Sequence, residues 1–399
     1  MISTSLYIHI PFCIHRCGYC DFITYAGLQR LIPAYSQAVC KEIEHLSQMG
    51  MERLPIHTVY FGGGTPSLVP ENELENILTT LNNRYDLSPS LEITLEANPG
   101  TVSEVYLRKI HSLGINRISL GMQSANQDEL TLLDRQHSFM DVVRAVDWSR
   151  AAGINNLNLD LILGLPNQAF NSWIISLEAA LSLQPEHLSL YALTLEHGTP
   201  MQKKVETGIL SEPDPDMAAD MYEFACDKLA EAGYVQYEIS NWAHLNKSGE
   251  LYSCKHNLQY WRNMPYIGIG AGAHGFINHY RTVDVATPGA YINRMRNNAS
   301  LPGKGTIFPH TPATIQLNPI DTDTEIGETM MMGLRLVLEG VSNQEFQRRF
   351  GISLQERFSA QIDRLISFGL LEWTGDQWER LRLTKKGHLL GNQVFKEFI

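Results

Sequence analysis

Through its first half the chain alternates between two periodicities. Short runs rich in β-branched and aromatic residues, at 6–10, 57–61, 91–97, 117–120, 157–163 and 187–193, read as strands. Between them, apolar positions recur at three- and four-residue steps over 33–49, 71–85, 103–113, 141–152 and 171–183, which is amphipathic-helix spacing, with Pro33 at a first-turn position. Six strands separated by helices of similar length imply an α/β fold of parallel βαβ units, as an open doubly wound sheet or a barrel-like one. The unusual residues follow the strands: the stretch 11–22 after the first, Gly62-Gly63-Gly64-Thr65-Pro66 after the second, Glu96-Ala97-Asn98-Pro99 at the end of the third. Gly121-Met122-Gln123-Ser124 follows the fourth, 160–166 ends the fifth, and Tyr191-Ala192 ends the sixth. Parallel α/β proteins place their chemistry at the carboxyl ends of strands, so one site shared by these loops is expected.

Beyond residue 205 the pattern changes. A helix is predicted over 216–232 and a short strand over 237–241, followed by an irregular Gly- and aromatic-rich stretch over 250–275. Residues 301–323 are rich in Pro, Thr and Gly and read as a linker. The tail predicts helices over 325–338, 343–350 and 354–368, strands over 370–374 and 380–383, and a last helix from Lys385. Three helices and a two-stranded ribbon look like a winged-helix module. Its basic and acidic residues are nearly balanced and unclustered, so nucleic-acid binding is not expected.

With 399 residues, 44% of them hydrophobic, the chain can bury a large core and one or two smaller ones. A formal charge of -12 argues against a broad nucleic-acid footprint. Six cysteines, unevenly spread, are too few for a secreted disulfide scaffold and fit a reducing cytoplasm. The apolar N-terminal run has no basic leader and reads as a strand rather than a signal peptide, and no apolar stretch reaches the roughly 18 residues of a membrane span.

Three of the cysteines, Cys13, Cys17 and Cys20, are spaced CxxxCxxC. Three thiolates on one short loop can hold three irons of a [4Fe-4S] cluster and leave the fourth iron open to a small molecule. Three unrelated buried cysteines or a zinc knuckle are the alternatives. Zinc would ask for a fourth Cys or His at a paired spacing, and neither His9 nor His15 completes a familiar finger. The Gly62–Gly64 run is by itself as compatible with a tight strand-to-helix turn as with a ligand site.

Together, Tyr7-Ile-His-Ile-Pro-Phe-Cys13, the cysteine loop with Tyr19 before its last cysteine, Gly62–Pro66, Glu96–Pro99, Gly121–Ser124 and Asp160–Pro166 resemble the radical S-adenosylmethionine superfamily. Within it they are similar to the coproporphyrinogen III dehydrogenase (HemN) group and its relatives, the heme chaperones. The resemblance covers nearly the whole chain and implies a six-stranded partial TIM barrel over 1–205 with the cluster at its mouth. It also implies a barrel extension over 206–300, the linker over 301–323 and the winged-helix-like domain over 324–399. By the same resemblance Tyr7, Gly63 and Glu96 match positions that contact a cluster-bound S-adenosylmethionine. Tyr19, Gly64, Thr65, Gln123, Arg135, Asp160 and Ala192 match contacts of a second such molecule in the dehydrogenases. The protein's part in such a site is to orient the cofactor, which supplies the chemistry.

Dehydrogenases of the group follow their third cluster cysteine with x-Cys, whereas here Asp21-Phe22 follows Cys20. That departure puts oxidative decarboxylation of coproporphyrinogen III in doubt and matches the chaperones. His256-Asn-Leu-Gln-Tyr-Trp261 also matches their HNxxYW signature, associated with heme. Histidine is a common axial ligand of heme iron, so His256 is the expected heme contact and Cys254 its rival. Tyr260 and Trp261 are candidates to pack beside the porphyrin. The function implied is a heme carrier that delivers heme to apo-proteins, with an electron donor for the cluster and at most peripheral membrane contact. The alternative is a radical enzyme acting on a porphyrinogen. An RNA-modifying radical enzyme is a third reading, which the acidic balance disfavours.

Overall fold

A strand covered by helices has no solvent face to leave polar, and this explains the near-continuous apolar runs of the first half. In the computed structural model, which describes residues 4–49, 53–297 and 307–399, these runs form strands Thr4–Ile10 (β1), Pro55–Gly63 (β2), Asp86–Ala97 (β3), Arg117–Gln123 (β4), Leu157–Leu163 (β5) and His187–Ala192 (β6). Each pairs in parallel with the next in chain order. Helices Ile32–Met49 (α1), Glu71–Arg84 (α2), Glu104–Ser112 (α3), Phe139–Ala151 (α4) and Phe170–Ser182 (α5) lie in the crossovers, the long connections that parallel pairing requires. Leu6, Ile8, Phe61, Leu95, Ile118, Leu120, Leu159, Leu161 and Leu188 are buried along the strands.

Two strands outrun their apolar patterns at the carboxyl end. β2 continues through Gly62 and Gly63, which pair with His9 and Ile10, and β4 continues to Gln123. Backbone pairing needs no side chain, so glycines that read as loop still extend the ladder. The stretch 250–275, read as irregular, holds helix Lys255–Trp261 and strand Tyr266–Ile269 (β7), which lies parallel to β1 on the side away from β2. Its glycines disguised it. A Cβ at Gly268 would sit 2.0 Å from the His274 carbonyl oxygen, so that position is closed to any side chain. His274–Ile277 (β8) and Tyr280–Asp284 (β9) follow as antiparallel strands, and Thr314–Pro319 (β10) closes that edge of the sheet.

The chain divides into two compact units. One runs up to Ala225 and includes Pro265–Asn318; the other comprises Cys226–Met264 and Pro319–Ile399. Of the expected linker, residues 301–306 lie outside the described residues, and from Thr314 the chain is strand β10. No helix among the described residues is long and apolar enough to cross a membrane.

The second unit contains the hairpin of Val235–Glu238 with Asn241–Ala243 and helices Thr322–Gly333, Asn343–Phe350 and Leu354–Ser367. A small antiparallel sheet joins Val341–Ser342, Arg380–Leu383 and Leu371–Thr374 in that order. Phe346, Phe358, Ile362, Leu365, Leu381 and Val394 form its core. Arg349 ties the C-terminal helices to the earlier segment: its Nε donates to the buried Glu325 carboxylate at 3.1 Å and its Nη2 to the Asn263 carbonyl at 2.8 Å. Removing Glu325 leaves the half-buried Arg349 without its carboxylate. Glu325→Ala is expected to destabilise this unit by on the order of 2 kcal/mol in urea unfolding, less than for a fully buried pair because Arg349 stays partly hydrated.

In the first unit a buried carboxylate holds α1 to the returning segment 265–318. Glu42 accepts from Gly270 N–H at 3.0 Å, Tyr291 O–H at 2.7 Å and Thr311 O–H at 2.6 Å. Thr314 donates to Asp284 Oδ1 at 3.2 Å, and burial, then the Glu42 charge, pushes the Asp284 carboxyl well above the usual carboxylate range. Burial likewise raises Glu42, against the three donors. Glu42→Ala would strand those donors and is expected to cost on the order of 3 kcal/mol. Because the folded pair binds its proton more tightly than the unfolded chain, stability is full below about pH 4 as far as this pair is concerned and falls as pH rises through the folded value. Asp284→Asn should flatten that alkaline-side decline in a Tm-against-pH series; an unchanged slope would remove the pair as its source.

Candidate functional site

The cysteine loop is pinned at both ends. Phe12–Cys13 pairs in parallel with Tyr25–Ala26, and Tyr25 N–H donates to the Pro11 carbonyl at 2.7 Å. Inside the loop Cys20 N–H donates to the Cys17 carbonyl at 3.2 Å, and Gln29 Nε2 donates to the Cys13 carbonyl at 2.6 Å. The chain therefore turns back on itself with Cys13 buried and Cys17 and Cys20 half-buried, and all three line one cleft of about 390 Å3. Burial pushes the Cys13 and Cys20 thiols up. The Thr65 hydroxyl, 3.6 Å from Cys13 Sγ, works the other way at Cys13, and Arg135 Nη1 stands 3.8 Å from Cys17 Sγ. Thiolates in such a place need a cation beside them, which soft metal centres provide. Among the described residues, no three His, Cys, Asp or Glu side chains converge as a single-ion site.

The glycine run forms the next wall. Gly64 N–H donates to the Ile10 carbonyl and Thr65 N–H to the Phe12 carbonyl, both at 2.8 Å. A Cβ at position 64 would stand 2.7 Å from the Phe12 oxygen and 2.9 Å from the Ile10 oxygen, so the approach is backbone against backbone. Gly63 has φ +113°, and a Cβ there would lie 2.4 Å from the His9 ring. These positions require glycine for space and, at 63, for conformation.

Charged groups from β3, β5 and the loop after β4 complete the cleft. Glu96 accepts from Tyr60 O–H at 2.8 Å and Gly63 N–H at 3.0 Å, and burial pushes it up to about 7 against those two bonds. Asp160 accepts from Ser119 at 3.0 Å and Asn158 at 2.8 Å, with burial again raising it. Arg135 Nη2 donates to the Gly121 carbonyl at 2.9 Å, and its buried Nε meets no partner. Burial opposes the Arg135 charge, but the Tyr19 hydroxyl, the Cys17 thiol and Asp160 facing it raise its value nonetheless. Burial raises the Tyr19 phenol as well. Glu96 and Asp160 thus offer acceptors for an ammonium group, and Arg135 a donor for a carboxylate.

Of the residues singled out from sequence, Cys13, Cys17, Cys20, Tyr19, Gly63, Gly64, Thr65, Glu96, Gln123, Arg135, Asp160 and Ala192 all line this cleft. Tyr7 stands one layer behind, its ring stacked on Tyr60 at 6.2 Å and its hydroxyl 3.1 Å from His9 Nδ1. His256 lies in the other unit, on helix Lys255–Trp261, 1% exposed, with Nε2 2.9 Å from the Tyr260 hydroxyl. Cys254 is buried at the start of that helix, and the Arg335 guanidinium covers the Trp261 ring at 4.4 Å.

Sequence reading missed Tyr60 and the polar layer beneath Asp160. There Asn158 Nδ2 donates to Ser119 Oγ at 2.7 Å, while Asn158 Oδ1 contacts Ser189 Oγ at 3.1 Å and His187 Nδ1 at 2.6 Å. The signal was present as polar residues at every second position of buried strands, Asn158 and Asp160 on β5 and His187 and Ser189 on β6. Alternation puts them on one face, turned toward the same interior.

The radical SAM superfamily model matches residues 7–180, and the HemN C-terminal domain model matches residues 320–390. The chain is 36% identical over 397 residues to the heme chaperone HemW of Bacillus subtilis, covering 99% of both chains. It is 35% identical to the heme chaperone HemW of Lactococcus lactis, covering 99% of this chain and 97% of that one. Coproporphyrinogen III oxidase (HemN) from Escherichia coli superposes with a TM-score of 0.82 over 100% of this chain and 90% of its own, at 20% identity, a likeness of fold. With near-full-length identity above one third to curated relatives, the chain belongs to the HemW heme chaperone family of the radical SAM superfamily.

Proposed function

We propose that the protein binds heme and hands it to apo-proteins, and that Cys13, Cys17 and Cys20 hold a [4Fe-4S] cluster beside bound S-adenosylmethionine. One observation carries the cofactor reading: the three thiols share a cleft with a backbone-close glycine wall, two buried carboxylates and a guanidinium. The donor set fits the group. Sulfur suits iron, and the buried unpartnered Nε of Arg135 beside the Cys17 thiol is a donor still to be used. In this reading β1 to β6 form a six-stranded partial TIM barrel with the cleft at its mouth, and the C-terminal helices and ribbon form a winged-helix-like module.

The cluster with S-adenosylmethionine supplies one-electron radical chemistry when bound, fed by an external electron donor. The chain's residues bind and orient. Glu96, fixed by Tyr60 and Gly63, accepts from the ammonium end; Gly63 and Gly64 bring main chain against the ligand; Thr65 and Arg135 steady the sulfurs. Tyr7 braces Tyr60 from behind. Tyr19, Gln123, Asp160 and Ala192 line the remainder, where a second S-adenosylmethionine is the matching occupant. Phe22, 63% exposed on the rim, offers no thiol where the dehydrogenases have their extra cysteine, and the heme-carrier reading follows from that and from the family.

Hemin titration of the anaerobic protein, followed by coproporphyrinogen III, S-adenosylmethionine and reductant, tests the function. Stoichiometric hemin binding, transfer to an apo-protein and an intact porphyrinogen are expected; loss of two carboxylates from the substrate would replace the carrier by an enzyme. Cys17→Ala should abolish the broad visible absorption of the cluster with the fold retained, and full iron content would contradict the ligand assignment. Thr65→Val removes a donor to sulfur, and cluster retention under chelator challenge should fall by about tenfold.

A further inference from the structure

Strand β4 ends in a backbone conformation that its last residue does not favour. Gln123 has φ +65°, and Ser124 N–H closes over it onto the Met122 carbonyl at 2.9 Å. A γ-turn with positive central φ is the strained hand of that turn, and a residue with a β-carbon is crowded there where glycine is not. The pairing of β4 with β5 slips at the same place, between Gly121 and Gln123. Such strain persists only where the surroundings hold it. Here they do so from both sides. The Met122 carbonyl accepts a second bond, from His137 Nε2 at 3.1 Å. The Ser124 hydroxyl accepts from Asn126 N–H at 2.9 Å and donates to Glu129 Oε2 at 2.5 Å. Ser176 of α5 has its Oγ 3.1 Å from Ser124 Oγ and accepts from Ala125 N–H at 3.1 Å. Ser124, Glu129, His137 and Ser176 are all buried, behind the cleft lining.

The turn brings the Gln123 side chain back over Gly121, alongside Arg135. A Cβ at Gly121 would lie 2.9 Å from Gln123 Nε2 and 2.7 Å from Arg135 Nη2, so glycine there leaves room for both donors. Glu129 sits on the short helix Gln127–Leu132, and Arg135 follows that helix with its N–H on the Leu130 carbonyl at 2.8 Å. One buried carboxylate therefore braces the turn that aims Gln123 and the element that delivers Arg135. An amide N–H beside a guanidinium is a seat for a carboxylate. Resting on the S-adenosylmethionine reading above, we propose that Ser124 and Glu129 are positioning residues. They hold Gln123 in its strained turn so that its amide and Arg135 together grip the carboxylate of an S-adenosylmethionine in the cleft. A relaxed turn would carry the amide off Gly121 and leave Arg135 to bind alone.

Anaerobic equilibrium dialysis of S-adenosylmethionine against the cluster-loaded, full-length protein tests this, with iron content and thermal melting measured on the same samples. Ser124→Ala and Glu129→Ala keep both donors yet are expected to weaken binding about tenfold at unchanged iron content. Glu129→Gln, which keeps an oxygen for the Ser124 hydroxyl, should bind within about twofold of wild type. Gln123→Gly relieves the turn, so it should melt a few degrees above wild type while binding more weakly. Because Ser124 acts through Gln123, the double variant Gln123→Gly with Ser124→Ala should bind like Gln123→Gly alone, a coupling that a merely stabilising hydroxyl would not show. Wild-type affinity in both Ser124→Ala and Glu129→Ala, or additive losses in the double variant, would overturn the positioning role, and a Gln123→Gly protein melting below wild type would overturn the strain. Failure of the cluster-loaded wild type to bind S-adenosylmethionine would instead overturn the cofactor reading beneath it.

Discussion

The close approach of the Gly63-Gly64 backbone to the end of β1 is the constraint on which the site depends. Two amides, from Gly64 and Thr65, cross to the carbonyls of Ile10 and Phe12, at a distance that leaves no volume for a β-carbon. Because Phe12–Cys13 is also paired with Tyr25–Ala26, the same few hydrogen bonds fix the entry and the exit of the cysteine loop. Backbone hydrogen bonds are short, directional and independent of rotamers, so they set thiol positions more firmly than side-chain packing would. His9 reinforces the arrangement from below, with Nε2 2.9 Å from the Ile23 carbonyl and its ring filling the space that Gly63 leaves. The ring's burial lowers its basicity, so a neutral imidazole bridges Tyr7 and the loop without adding charge beneath the thiols.

A cleft walled by buried carboxylates is expensive unless each is held by donors, and the strands supply them at alternate positions. Ser119, Asn158 and Ser189 come from three adjacent parallel strands, and all turn inward because the side-chain period along a strand is two. Arg135 is the countercharge on this wall. Its position after the short helix Gln127–Leu132 places one guanidinium within reach of the Gly121 carbonyl and the Cys17 sulfur at once. In a low-dielectric pocket such fixed charges act strongly on whatever enters, and they cost little reorganisation because they are already paired with the scaffold.

How much of this was legible follows from what each feature rests on. Strand β5 was read to the residue, 157–163, because its apolar run is bounded by turn residues and has no glycine. β2 and β4 were cut short because backbone pairing persists through glycines that carry no hydrophobic signal. β7 was lost in 250–275 for the same reason, its Gly268 being forced by a neighbouring carbonyl that no local window contains. The small strand Val341–Ser342 escaped because two residues carry no period. Cleft residues were recognisable where a motif carried them, from Cys13 to Asp160. Tyr60 and Asn158 carried none: the pairing of β2 with β3 brings Tyr60 beside Glu96, and the two-residue period of β5 puts Asn158 beside Asp160.

The HNxxYW segment is held by contacts among its own residues and with its neighbours. On helix Lys255–Trp261 the first and fifth signature positions lie one turn apart, and the structure uses that spacing internally: His256 meets Tyr260 at 2.9 Å, with rings 4.9 Å apart and nearly perpendicular. Trp261 is spent on Arg335, whose guanidinium lies over its ring, and Arg335 in turn faces the buried Glu238. The Tyr237 hydroxyl accepts from the Cys254 amide at the start of the helix. Each of these contacts fixes the helix within its own unit.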